Sequence, residues 1–127
     1  MNLLLDTHTI LWALSNDEKL SNKAKAEIMA SNNNKFVSLA SAWEVAIKIS
    51  LGKLSFEGGV VRFLNQVESC GFELSPIRSE HIAFVETLPF HHRDPFDRLI
   101  AATAISEGMT VITADENIHL YDVKCIW

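Results

Sequence analysis

Short apolar runs recur along the chain at Leu3–Leu5, Phe36-Val37, Phe72–Leu74, Val111-Ile112 and Val123–Trp127. Runs this brief, rich in branched and aromatic side chains, predict strands. Between them apolar residues return every three or four positions: Leu20, Ala24, Ile28; Ala42, Val45, Ala46, Ile49; Val60, Phe63, Leu64, Val67; and Leu99, Ala102, Ile105. That spacing puts each set on one face of a helix. Alternation of strand and helix predicts βαβ units, and strands with almost no polar positions predict a parallel sheet covered on both faces. The expected fold class is therefore α/β, a three-layer α/β/α sandwich. The punctuation agrees. Asn32-Asn33-Asn34 separates a helix from the second strand, Gly71 and Gly108 each close a helix, and Gly58-Gly59 opens one. The stretch from Pro89 to Pro95, with His91, His92 and Arg93, is the longest expected surface loop.

Composition narrows the class. A chain of 127 residues, 48% hydrophobic and 21% charged with five Gly and three Pro, fits a single domain over residues 1–127 and excludes long disorder. Its apolar runs fall well short of the roughly 20 residues that span a bilayer, so no membrane partner is expected. Asp6 follows the first run without any basic leader, which makes cytoplasmic localisation the expectation. Cys70 and Cys125 lie outside any CxxC pattern and are expected to be reduced and buried, with no assigned function. The formal net charge of -5 argues against gripping nucleic acid over a broad basic face. It leaves room for an enzyme whose acids are gathered at one metal-loaded site.

Four acids share a position relative to the predicted sheet. Asp6 follows the first strand and Asp115 the fourth, so both belong on the edge formed by the strand C-termini, where ligand sites form in open parallel sheets. Glu44, in Ser41-Ala42-Trp43-Glu44, and Asp97, in Asp94-Pro95-Phe96-Asp97, are expected in the first turns of helices leaving that edge. Each acid alone also fits helix capping: Ser41 and Glu44 have capping-box spacing, and Asp94 before Pro95 reads as an N-cap ahead of an N1 proline. Capping does not explain all four together. Two carboxylates ~4 Å apart repel by about 4 kcal/mol at an effective dielectric of ~20. A shared proton or a bound cation must offset that. An all-carboxylate donor set suits Mg2+ or Mn2+, and no Cys and His set for structural zinc is present. Magnesium retains waters that can attack a phosphodiester.

At these residues the sequence resembles the PIN-domain ribonucleases, specifically the VapC toxins of bacterial toxin–antitoxin pairs. The matching stretches are LLLDTHT from Leu3, SAWEVAIKISLGKL from Ser41, LPFHHRDPFDRLIAATA from Leu88 and TVITAD from Thr110, which together reach from end to end. The resemblance implies a metal-dependent endoribonuclease with Asp6, Glu44, Asp97 and Asp115 as catalytic and metal-ligating acids. It also implies a five-stranded parallel sheet, a homodimer, a small cognate antitoxin, and a structured or translational RNA as substrate. Asp94 is an extra acid read as a cap. Thr7 and Thr113 are candidates to orient carboxylates, and Lys48, Arg93 and Arg98 to contact RNA phosphates. His91 and His92 could ligate metal or touch RNA but are read as exposed loop residues without a catalytic role, and Trp12, Trp43 and Trp127 could stack on bases but are read as core or dimer-interface residues. The alternatives are a catalytically silent PIN-like interaction module and a receiver-type signalling domain. The second would want paired acids after the first strand and an Asp at mid-chain, yet no Asp occurs from Glu18 through His92.

Overall fold

The computed structural model describes residues 1–127. Its elements run β1 (Asn2–Leu5), α1 (Thr7–Ser15), α2 (Asn22–Met29), β2 (Asn34–Ser38), α3 (Leu39–Ser50), α4 (Gly59–Ser69), β3 (Glu73–Ser75), α5 (Ser79–Thr87), α6 (Pro95–Glu107), β4 (Thr110–Ile112) and β5 (Cys125–Ile126). A short 3-10 turn, Ile118–Leu120, precedes β5. All strand pairs are parallel, in the order β3-β2-β1-β4-β5. The chain builds outward from β1 through β2 to β3, then returns to place β4 on the other side of β1. The C-terminal ends of β1 and β4 thus form the topological switch point, where open α/β sheets bind ligands.

The three leucines of β1 have no exposed surface, because the sheet is covered twice. Leu3 and Leu5 face a core completed by Ile10, Ala24, Val45, Phe63 and Val67 from α1 to α4. Leu4 faces the opposite way, against Ile100 and Ala104 of α6. Alternate residues of one strand therefore meet different helical layers. Strand candidates and glycine stops fall as expected; Gly108, for example, closes α6 at φ 67.

Two helices go unread in the hydrophobic pattern. In α1 the run Ile10-Leu11-Trp12-Ala13-Leu14 is apolar at every position, so no 3.6-residue period shows. In α5 the one fully buried residue is His81, a polar letter in the sequence. Its Nδ1 accepts the Arg78 N–H and its Nε2 lies 2.8 Å from Glu107.

The start of α3 also differs from the expectation. Ser38, not Ser41, is the N-cap, accepting the Ala40 N–H at 3.0 Å. Glu44 therefore sits in the second turn, where it has no capping duty. Of the cysteines, Cys70 is exposed rather than buried, and Cys125 is half-buried.

Candidate active site

Asp6 leaves β1 with its N–H still bonded to the Ile112 carbonyl of β4, then caps α1 by accepting the Thr9 N–H at 2.9 Å. Its other oxygen accepts the hydroxyl of Thr113, which follows β4. Thr113 Oγ1 in turn accepts the Asp115 N–H at 3.0 Å. One hydroxyl therefore ties Asp6 to the backbone of Asp115 across the switch point. Asp6 is only 4% exposed.

Glu44 is 3% exposed, and both its oxygens are engaged. Oε1 accepts the Thr7 hydroxyl at 2.6 Å, and Oε2 meets Lys48 Nζ at 2.7 Å. Thr7 has one hydroxyl proton, so its 3.0 Å contact with Ser41 is made by the Ser41 hydroxyl donating. The hydrogen bond to Glu44 holds Lys48 above its usual value against the opposing effect of burial, and the charges of Glu44, Asp94 and Asp97 add to this. Lys48 thus keeps its charge at the acid edge.

Asp97 enters from α6. Asp94 caps this helix, its Oδ1 accepting the N–H groups of Phe96 and Asp97, with Pro95 in the first turn as expected. Burial is the main cause that pushes Asp97 up to about 7; the charges of Asp94, Asp6 and Glu44 push the same way and His92 opposes them. Asp115 behaves differently. Burial raises it, but the His92 hydrogen bond and the Asn117 N–H outweigh burial and hold it below the usual carboxylate value. All four sequence-predicted acids therefore converge on one edge of the sheet.

His92 joins them, contrary to the expectation of an exposed loop side chain. Nε2 lies 2.7 Å from Asp115 Oδ2 and 3.2 Å from Asp97 Oδ2. Nδ1 accepts the Asp94 N–H at 3.0 Å, and the backbone N–H of His92 donates to the Tyr121 hydroxyl. Nothing in the pattern separates His92 from His91, which stays exposed with its ring 5.0 Å from that of Tyr121.

Arg98 is the reverse case. It is 6% exposed, and its guanidinium donates to the carbonyls of Val85, Leu88 and Pro89 and to the Tyr121 hydroxyl. It also stacks on Phe90 at 4.1 Å. These contacts pin the loop between α5 and α6, which overturns the reading of Arg98 as a surface phosphate contact. Arg98→Ala should lower folding stability by about 3 kcal/mol, since it orphans several acceptors of a charged donor. Urea unfolding would measure this; a loss under about 0.5 kcal/mol would return Arg98 to the surface reading. Arg93 is exposed.

Trp12 packs on Trp127 beside the larger core cluster. Trp43, by contrast, is 59% exposed and meets Phe96 edge-on, so it is not a core residue. With Ile82, Val85, Pro95 and Leu99 these two rings line an apolar cleft.

The PIN domain family model matches residues 3–124 of this sequence. The chain belongs to the PIN domain family. Its PIN fold is shared with a chain of the VapBC2 complex of Rickettsia felis bound to a promoter DNA fragment, at a TM-score of 0.71 and 18% identity over 99% of this chain and 98% of that one. A chain of VapBC-1 from nontypeable Haemophilus influenzae gives 0.69 at 17% identity, covering 99% and 97%. The PIN domain endonuclease Utp24 gives 0.52 at 18% identity, covering 93% of this chain and 74% of that one. A search of curated proteins finds no match.

Proposed function

We propose that this chain is a metal-dependent endoribonuclease, the toxin of a type II toxin–antitoxin pair, cutting structured or translational RNA. The observation that carries the reading is Asp97, a largely buried carboxylate held at about 7 among three other acids. Such a group is poised for a cation.

The donor set fits one. Asp6, Glu44, Asp97 and Asp115 offer hard oxygens suited to Mg2+ or Mn2+. The nearby Cys125 thiol is pushed up to about 11 by burial and by the Asp6 charge, which disfavours a thiolate ligand. Thr9, Thr113, Thr7, Lys48 and Asn117 each donate to one of the carboxylates, orienting it while leaving lone pairs free. When bound, a divalent cation supplies activation of water and neutralisation of charge at the scissile phosphate. Lys48, at the acid edge, and Arg93, exposed in the loop before α6, are the cations proposed to receive flanking phosphates.

A small cognate antitoxin would silence the site in a cytoplasmic complex, and the VapBC character of the structural neighbours supports this. The exposed cleft at Trp43, Ile82 and Phe96 supports pairing with a second copy of the chain.

Purified protein should cleave end-labelled transfer and ribosomal RNA with Mg2+ or Mn2+, and EDTA should abolish cleavage. Cleavage undiminished by thorough chelation would refute the metal reading. No cleavage of any RNA by folded, Mg2+-loaded protein would refute the enzyme.

A further inference from the structure

The imidazole of His92 lies among the acids, and its hydrogen bonds fix which atom carries the proton. Nδ1 accepts the Asp94 N–H at 3.0 Å, so the ring proton of the neutral form is on Nε2. That N–H points at Asp115 Oδ2, 2.7 Å away, with Asp97 Oδ2 at 3.2 Å. The ring is held firmly: its side chain is 13% exposed, and the His92 backbone N–H is tied to Tyr121, which Arg98 also holds.

The three groups His92, Asp97 and Asp115 are close enough to be taken for a metal-binding triad. The tautomer argues otherwise. A histidine that ligates through Nε2 must present a lone pair there, and its Nδ1–H normally donates to an acceptor. Here Nδ1 faces a donor. For Nε2 to ligate, the proton would move to Nδ1 and confront the Asp94 N–H.

We propose that His92 is an internal substitute for the cation: its Nε2–H donates to Asp115 Oδ2 and lies 3.2 Å from Asp97 Oδ2 when the centre is empty, and must be displaced when an ion binds. The inference rests on the metal-centre reading of the four acids. Mg2+ takes carboxylate oxygens at about 2.0–2.1 Å, so an ion held by Asp97 and Asp115 would need the space that the Nε2–H fills. Ring and ion are alternative occupants. The loop from Pro89 to Asp94, which carries His92 and ends at the cap of α6, is then coupled to the loading of the centre. Without an ion, the imidazole is hydrogen-bonded to Asp115 and stands between it and Asp97, two acids that would otherwise repel. With one, that contact is redundant.

The test is calorimetric titration of Mg2+ into EDTA-stripped protein, with thermal melts with and without the ion. His92→Asn retains an acceptor for the Asp94 N–H near the position of Nδ1 but has no donor where Nε2 lies; His92→Gln restores a donor there. His92→Asn should bind Mg2+ about tenfold more tightly than wild type. It should also melt lower without the ion and show a larger magnesium-induced shift, while His92→Gln should lie near wild type on all three. Weaker Mg2+ binding by His92→Asn would make His92 a ligand or an organiser of the loaded site and would overturn the proposal. Unchanged binding and melting would make it a bystander, with the same result. If no protein, wild type included, bound Mg2+, the metal-centre reading itself would fail, which is a different outcome from either. Should His92→Asn not fold, His92→Ala serves with the same expectations.

Discussion

Asp6→Asn, Glu44→Gln, Asp97→Asn and Asp115→Asn should each lower the rate of RNA cleavage by about 10³-fold or more while leaving the protein folded. A cation at the scissile phosphate contributes several kcal/mol of charge stabilisation, and each 1.36 kcal/mol is a factor of ten in rate. Each amide removes one negative charge from the donor set yet keeps the shape and at least one acceptor oxygen. Asp6→Asn, for instance, can still receive the Thr9 N–H and cap α1. The orienting hydroxyls rank lower: Thr7→Val and Thr113→Val should cost about 10- to 100-fold, the usual effect of losing a group that holds a ligand. Asp94→Asn should fall within about tenfold of wild type, because Asn caps a helix as well as Asp and Asp94 bonds the start of α6. Single-turnover cleavage at saturating Mg2+ separates these tiers. Wild-type rates for Glu44→Gln would reduce that residue to an anchor for Thr7 and Lys48. An Asp94→Asn loss equal to that of Asp97→Asn would exchange the roles of the two acids.

The fold was legible because a buried parallel sheet writes itself as continuous apolar runs. Leu3-Leu4-Leu5 must satisfy two helical layers at once, so it has no polar alternate. The convergence of the acids was legible for the same reason, since strand ends in a parallel sheet share an edge. What escaped were features set by hydrogen bonds rather than hydrophobic period. The choice of Ser38 over Ser41 as the cap of α3 turns on which serine reaches a free N–H, and both have suitable sequence neighbours. Arg98 and His92 were misplaced in opposite directions. Arginine and histidine letters say nothing of direction: in the first turn of α6 one side chain faces the acids and the next faces the loop. Arg98 meets carbonyls and the hydroxyl of Tyr121, a residue 23 positions on, and His92 meets Asp115 at the same separation. Only the packing of α6 against the turn after β4 brings those partners in.

Without metal, Asp97→Asn should raise the melting temperature at pH 8 while removing most of the stabilisation that Mg2+ gives the wild type. Asp97 stands at about 7 in the folded chain against 3.8 for an ordinary aspartate. Between those values the folded state binds more protons than the unfolded one, so stability falls as pH rises through this window. The contribution of the protonated carboxyl is fully present below pH 3.8 and lost above about 7. By pH 8 the ionised group destabilises the metal-free fold by up to about 4 kcal/mol, at 1.36 kcal/mol for each tenfold change in proton affinity. Asn carries no charge and escapes that loss, although it forfeits about 0.3–1 kcal/mol of favourable charge near the N-terminus of α6. The net gain of a few kcal/mol corresponds to roughly 4 °C per kcal/mol in a domain of this size. Near pH 5 the wild-type carboxyl is mostly protonated, so the two proteins should melt closer together. A ligand that binds only the folded state stabilises it by about 2.7 kcal/mol at a hundred times its dissociation constant, and loss of one carboxylate weakens that affinity. Melts of both proteins at pH 5 and 8, in EDTA and in millimolar Mg2+, test every part of this. A lower metal-free melting temperature for the variant at pH 8, together with an unchanged magnesium shift, would mean that Asp97 serves only the dipole of α6.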